Sequence, residues 1–125
     1  MSGPIRRLPD GELTVMQAVW QCQAPFSRSM LEEKLFPAHP MAQTTLLTML
    51  SRLTQKGFLR SEKNGRENYY TPTVSQEDYL AAQSRRFLNQ LCGGSLSVFA
   101  SALCDSGLSK QELEELRKLL EEGSL

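Results

Sequence analysis

Three amphipathic helical stretches, a β-hairpin with an Asn-Gly turn and three further helical stretches follow one another along 125 residues. That order predicts a mainly α protein, a winged helix-turn-helix over residues 1–74 with a C-terminal helical dimerisation region over residues 75–125. Charge divides at the same place. Residues 1–74 hold nine Lys and Arg against six Asp and Glu, residues 75–125 hold five against eight, and the whole chain is neutral. Neutrality excludes a uniformly basic coat, so any anionic partner has to be met by a local patch.

Residues 1–8 read as a loose arm. A first helix is expected from Asp10 to Cys22, because Leu13, Met16, Val19 and Trp20 recur at helical spacing and form one apolar face. Trp20 is read as core on that face. Ala24-Pro25 breaks the helix. Ser27 can cap a second, short helix with Met30, Leu31 and Leu35 turned inward. Pro37 and Pro40 bracket a turn holding His39. A third helix spans Gln43 to Lys56, and Gly57 stands where a helix often ends in a left-handed residue. Strands are expected over Phe58–Glu62 and Glu67–Thr71, joined through Lys63-Asn64-Gly65-Arg66, with Pro72 ending the second. Ser75 starts a helix to Leu91, and Gly93-Gly94 stops it. Ser95 opens a short apolar helix to Cys104. Ser109 and Glu112 form a capping-box pattern, flanked by Leu108 and Leu113 as a hydrophobic staple, ahead of a last helix carrying Leu113, Leu116 and Leu120.

Several function classes fall away. The chain has no GxSxG, no HExxH and no glycine-rich phosphate loop, so no enzyme chemistry is expected. His39 stands alone, without a Cys or acid at ligand spacing, so neither a metal nor another cofactor is expected. Cys22, Cys92 and Cys104 are odd in number and widely spaced, which fits reduced thiols in the cytoplasm. Cys92 and Cys104 are read as small hydrophobes beside apolar patches. No apolar run follows Arg6-Arg7 as in a signal peptide, and no stretch approaches the ~20 apolar residues of a membrane span, so no direct membrane binding is expected.

The third helix carries the clearest functional pattern. Leu46, Met49, Leu50 and Leu53 form its inward stripe. Thr44, Thr45, Thr48, Arg52 and Gln55 lie largely on the other side, with Gln43 at the start and Leu47 at the boundary. A helix entering a major groove reads bases with its N-terminal residues. A threonine hydroxyl can donate or accept there, its methyl can pack on a thymine methyl, and Arg52 and Lys56 suit phosphates. From Ala42 to Arg66 five bases face a single acid, Glu62. Lys63 and Arg66 of that run sit at the hairpin tip, beside the groove. The same helix is also what an ordinary amphipathic helix with a solvated face looks like. A winged helix that binds proteins rather than DNA, and a small-ligand sensor with a pocket between helices and wing, remain open on these residues.

The C-terminal helices offer more apolar surface than so small a region can bury alone. Tyr79, Phe87, Leu88, Leu91, Leu96, Phe99, Leu103, Leu113, Leu116 and Leu120 are assigned to a dimer interface across a two-fold axis. An intramolecular helical cap on the winged helix is the competing arrangement.

These segments resemble a known family. LPDGELTVMQAVW is similar to the opening of the penicillinase-repressor (BlaI/MecI/CopY) family. TTLLTMLSRLTQKGFL resembles its recognition helix and first wing strand, and GRENYYTP its second. GGSLSVFASAL followed by LSKQELEELRKLLEE resembles its dimerisation segment. The resemblance covers about residues 8–122. It implies a cytoplasmic bacterial homodimer that represses transcription by binding palindromic double-stranded operator DNA, commonly with TACA/TGTA half-sites. It also implies that Thr44, Thr45, Thr48 and Arg52 face DNA, that Lys63 and Arg66 lie on the wing, and that a membrane sensor-protease system is a candidate partner. Two departures stand out. Antibiotic-responsive members are cleaved at an Asn-Phe bond where this chain reads Ser101-Ala102-Leu103, one residue shorter, which argues against that route of induction. Copper-responsive members carry a C-terminal CxC cluster, and this sequence has no cysteine after Cys104.

Overall fold

A computed structural model describes residues 5–122. Its elements are α1 (Asp10–Val19), β1 (Phe26–Ser27), α2 (Arg28–Leu35), α3 (Gln43–Gln55), β2 (Leu59–Asn64), β3 (Glu67–Pro72), α4 (Gln76–Leu91), α5 (Leu96–Asp105) and α6 (Lys110–Glu121). Contacts divide the chain into two compact units, with the boundary between Ala82 and Gln83 inside α4.

The first unit is a three-helix core backed by a three-stranded antiparallel sheet in the order β1-β3-β2. Val15, Met16 and Val19 of α1, Leu31 and Leu35 of α2, and Leu46, Leu50 and Leu53 of α3 meet in one cluster with Phe26, Phe58, Leu59 and Tyr70. Ser27 does cap α2, its Oγ accepting from the Met30 N–H. Met30 itself is exposed rather than inward, because only Leu31 and Leu35 fall on the stripe that meets the core. α1 ends at Val19, three residues before the expected Cys22, and the Trp20 indole N–H is drawn to the Val74 carbonyl at 2.9 Å.

α3 ends in a Schellman motif. The Gly57 N–H donates to the Thr54 carbonyl and the Phe58 N–H to Leu53, with Gly57 at φ +84°. That φ is open to glycine at little steric cost, and the buried Leu53 and Phe58 supply the apolar contact that accompanies such an end. The chain then turns directly into the wing. Asn64 pairs with Glu67, so β2 runs two residues beyond the expected end at Glu62. The loop pair is Gly65-Arg66, with positive φ at Gly65 only, as in a type II′ turn.

The amino-terminal arm is partly a correction. Residues 1–4 lie outside the described residues, but Leu8 is buried and its N–H donates to the Tyr79 hydroxyl at 2.9 Å. Tyr79 is a second correction. The sequence pattern assigns it to the dimer surface, yet its ring packs against Trp20 and Phe58 at 5.7 and 5.8 Å and belongs to the first unit's core. The physical reason is its hydroxyl, which the Leu8 amide satisfies internally. Tyr79→Phe strands that buried N–H and is expected to cost about 1–3 kcal/mol of stability in urea unfolding.

In the second unit, Ser95 caps α5 through the Val98 N–H, and Ser109 and Glu112 of α6 close both bonds of the capping box. Phe87 and Phe99 pack with ring centroids 5.5 Å apart. Leu88 and Cys92 are buried, whereas Cys104 is exposed in the chain and does not act as a buried hydrophobe. Leu103, Leu113 and Leu116 are half-buried. Leu91 and Leu96 stay 72% and 71% exposed, and Leu120 is also open.

Candidate nucleic-acid interface

α3 is anchored from beneath and open above. Leu46, Leu50 and Leu53 are 0% exposed, while Gln43, Thr44, Thr45, Leu47, Thr48, Ser51, Arg52 and Gln55 are all exposed. At 100° per residue, Thr44, Thr48, Ser51 and Gln55 form the centre of the outer face. Leu47 and Thr54 border it towards the wing. Thr45 and Arg52 border it on the other flank. The helix start has no side-chain cap, since Ala42 holds that position. The first N–H groups of α3 therefore remain available as donors to an anion such as a phosphate.

One hydroxyl is more restricted than the sequence implies. The Thr48 Oγ1 donates to the Thr44 carbonyl at 2.9 Å. In that rotamer Thr48 presents an acceptor lone pair and a methyl group, but no donor.

The wing forms the second wall. Leu59, Ser61 and Lys63 alternate onto one face of the hairpin, and Ser61 pairs with Tyr70 and Lys63 with Asn68. Ser61, Asn68 and Tyr70 line a groove whose other side is Leu47, Ser51, Thr54 and Gln55 of α3. Lys63 thus shares the face turned towards α3, whereas Arg60 and Glu62 alternate to the opposite face. Arg66 lines the continuation of the groove with Leu47, Asn68 and Tyr70.

The basic run is accordingly less uniform than its count. Lys56 is engaged within the chain: its Nζ contacts Glu12 Oε1 of α1 at 2.5 Å, with 23% of the lysine side chain still exposed, so this cation already has a carboxylate partner. Arg28, which the sequence reading passed over, lines the groove beside Arg66 while pairing with Glu32 one turn along α2. The signal for it was its place directly after the Ser27 cap, at the start of the helix that precedes α3. Ser51 and Asn68 were also missed, since neither carries a charge or a periodic signature. Among the described residues no group of three or more His, Cys, Asp or Glu side chains could hold a metal ion.

Comparison with known proteins identifies this arrangement. The sequence profile of the penicillinase repressor family matches residues 8–122. The chain belongs to the penicillinase repressor family. It is therefore a non-enzymatic, winged-helix DNA-binding repressor of transcription. The penicillinase repressor of Bacillus licheniformis is 35% identical over 119 residues, covering 94% of this chain and 92% of the relative. A solution structure of the DNA-binding domain of the repressor BlaI superposes with a TM-score of 0.53 at 32% identity, covering 62% of this chain and 94% of that one. A solution structure of B. licheniformis BlaI, in monomeric form and in complex with the blaP half-operator, does so with a TM-score of 0.50 at 33% identity, covering 60% of this chain and 90% of that one. This penicillinase-repressor homologue shares with them the winged-helix fold.

Proposed function

We propose that this repressor works in the cytoplasm as a homodimer on a palindromic operator, with α3 of each copy in a major groove and the wing tip on the neighbouring backbone. The observation that carries the reading is the division of α3: three leucines fully buried on one side, and threonines, Ser51 and Arg52 open on the other, next to a groove bounded by a basic hairpin. Thr44, Thr45 and Thr48 read base edges, Arg52, Gln43 and the free N–H groups at the helix start hold phosphates, and Lys63 and Arg66 sit on the backbone. Residues 1–74 form the DNA-reading domain and residues 75–125 the dimerisation domain in this scheme. The second copy is joined through Phe87, Leu88, Leu91, Leu96, Phe99, Leu103, Leu113, Leu116 and Leu120. If a membrane sensor-protease triggers release, its cut near Ser101-Ala102-Leu103 requires local unwinding of α5, which contains all three residues.

Gel-shift titration at ~150 mM salt against a palindrome of TACA and TGTA half-sites, with random duplex as competitor, tests the reading, because non-specific contacts are weak at that ionic strength. A clear preference for the palindrome is expected, and equal affinity for both duplexes overturns it. Thr48→Ala should reduce the palindrome-to-random ratio by about tenfold, the value of one good base contact. Lys63→Ala should weaken both duplexes about equally and lower the salt slope by about one. The opposite pattern would reverse the assignment of base and phosphate contacts.

A further inference from the structure

Glu12 is a carboxylate with 4% of its surface exposed, in the first turn of α1, among residues that are otherwise core. Among the described contacts its one charged partner is Lys56, 44 residues later in the chain, whose Nζ lies 2.5 Å from Glu12 Oε1. Lys56 is the C-cap of α3, the last residue before Gly57 turns the chain into the wing. The adjacent residue of α1 touches the same helix again. A Cβ built on Gly11 would fall 2.8 Å from Met49 Cε, the flexible end of that side chain, so Met49 of α3 lies over Gly11.

Met49 and Lys56 are two helical turns apart on one flank of α3, and Arg52 lies between them on that flank. The first turn of α1 therefore meets the Met49 side chain and pairs with Lys56, on either side of a residue assigned to DNA. A buried ion pair adds little net stability compared with an apolar pair of the same shape, but it has demanding geometry, since either charge left alone in the interior is costly. What it supplies is register: the Glu12 carboxylate is buried while the Lys56 side chain is 23% exposed, so sliding or rotating α3 on α1 draws the ammonium away from a desolvated carboxylate.

We infer that Glu12 and Lys56 are positioning residues for operator recognition, fixing the seat of α3 on α1 so that the outer threonines meet base edges, and Arg52 a phosphate, in register. This rests on the DNA reading proposed above. It also assigns Lys56 a role different from a phosphate contact: the lysine serves sequence discrimination without touching DNA.

The test uses the full-length protein with the TACA/TGTA palindrome and a random duplex of equal length, each titrated at several salt concentrations, with the folded fraction of every variant fixed by circular dichroism. The variants are Lys56→Gln, Glu12→Gln and the double variant Glu12→Gln/Lys56→Met, which leaves no buried charge unpaired and so retains a foldable protein. Lys56→Gln should lose about tenfold in palindrome affinity per folded molecule, with random-duplex affinity and salt slope unchanged. The double variant should keep the fold and still show the reduced ratio, because the register-setting pair is gone. Should Lys56→Gln weaken both duplexes alike and lower the salt slope by about one, Lys56 is a phosphate contact and the inference fails. If all three variants keep the wild-type ratio per folded molecule, the pair only supports the fold, and the inference fails in that way too. Wild-type protein without preference for the palindrome would instead sink the DNA reading itself, which separates the two failures.

Discussion

Leu91→Glu should leave the winged helix folded, abolish the homodimer and weaken binding to a full palindrome by about 10²–10⁴-fold. Leu91 is 72% exposed in the single chain, so a charge there meets water and costs the isolated molecule little. In a dimer joined by this surface, the same charge is desolvated against a second apolar face. The loss in DNA affinity comes from valency. With two reading heads joined, engagement of one half-site makes the second engagement intramolecular, and avidity exceeds that of a single head by the factor stated. A half-site duplex engages one head only, so its affinity should barely change. Sedimentation equilibrium reads the dimer, and titrations of full and half-sites read the avidity. A variant that sediments as a monomer but binds the palindrome as tightly as wild type would show that the heads act singly.

The choice of Leu91 follows from how the apolar surface of the second unit is distributed. Leu91 and Leu96 flank the Gly93-Gly94 break, and both are more than two-thirds exposed. Phe87 is satisfied in part by Phe99 within the chain, so its substitution would mix folding with association. Tyr79, which the sequence alone placed in the same set, is buried with the winged helix and would report only on stability.

That contrast shows where the sequence was legible. Periodicity distinguishes the inside of a helix from its outside, and of the expected α3 stripe Leu46, Leu50 and Leu53 are fully buried while Met49 at its edge is partly buried. Cap chemistry is equally local: Ser27, Gly57, Ser95 and the Ser109–Glu112 box need only neighbouring residues to act, and all occupy the expected helix ends. Partners distant in sequence were not legible. Nothing near Lys56 announces Glu12, and nothing near Tyr79 announces the Leu8 amide. β1 escaped because two residues, Phe26 and Ser27, are too short for an alternating pattern, and Ser27 doubles as a helix cap. The groove between α3 and the wing needed the strand register as well, because a shift of one residue would exchange Lys63 for Glu62 on the face beside α3.

Two leucines three residues apart on α3 should behave in opposite ways. Leu50 is fully buried at the centre of the core, so Leu50→Ala removes apolar contact and leaves a cavity, a loss of about 2–5 kcal/mol. Domains of this kind are stable by ~5–15 kcal/mol, so urea unfolding should show the midpoint fall steeply. Leu47 is 41% exposed and lines the groove with Ser51, Asn68 and Tyr70, so Leu47→Ala should move stability by no more than ~0.5 kcal/mol. The ranking reverses on DNA. Per folded molecule, Leu50→Ala should keep the wild-type preference for the palindrome, because the outward residues are untouched. Leu47→Ala should lose preference by about tenfold at a thymine position, since an apolar side chain there is suited to the C5-methyl group. If Leu47→Ala unfolds as readily as Leu50→Ala, then α3 is rotated on the core relative to the packing described, and the whole outward set from Thr44 to Gln55 has to be reassigned. Equal preference in both variants with the stability difference intact would confine the fault to Leu47, leaving the threonines as the readers.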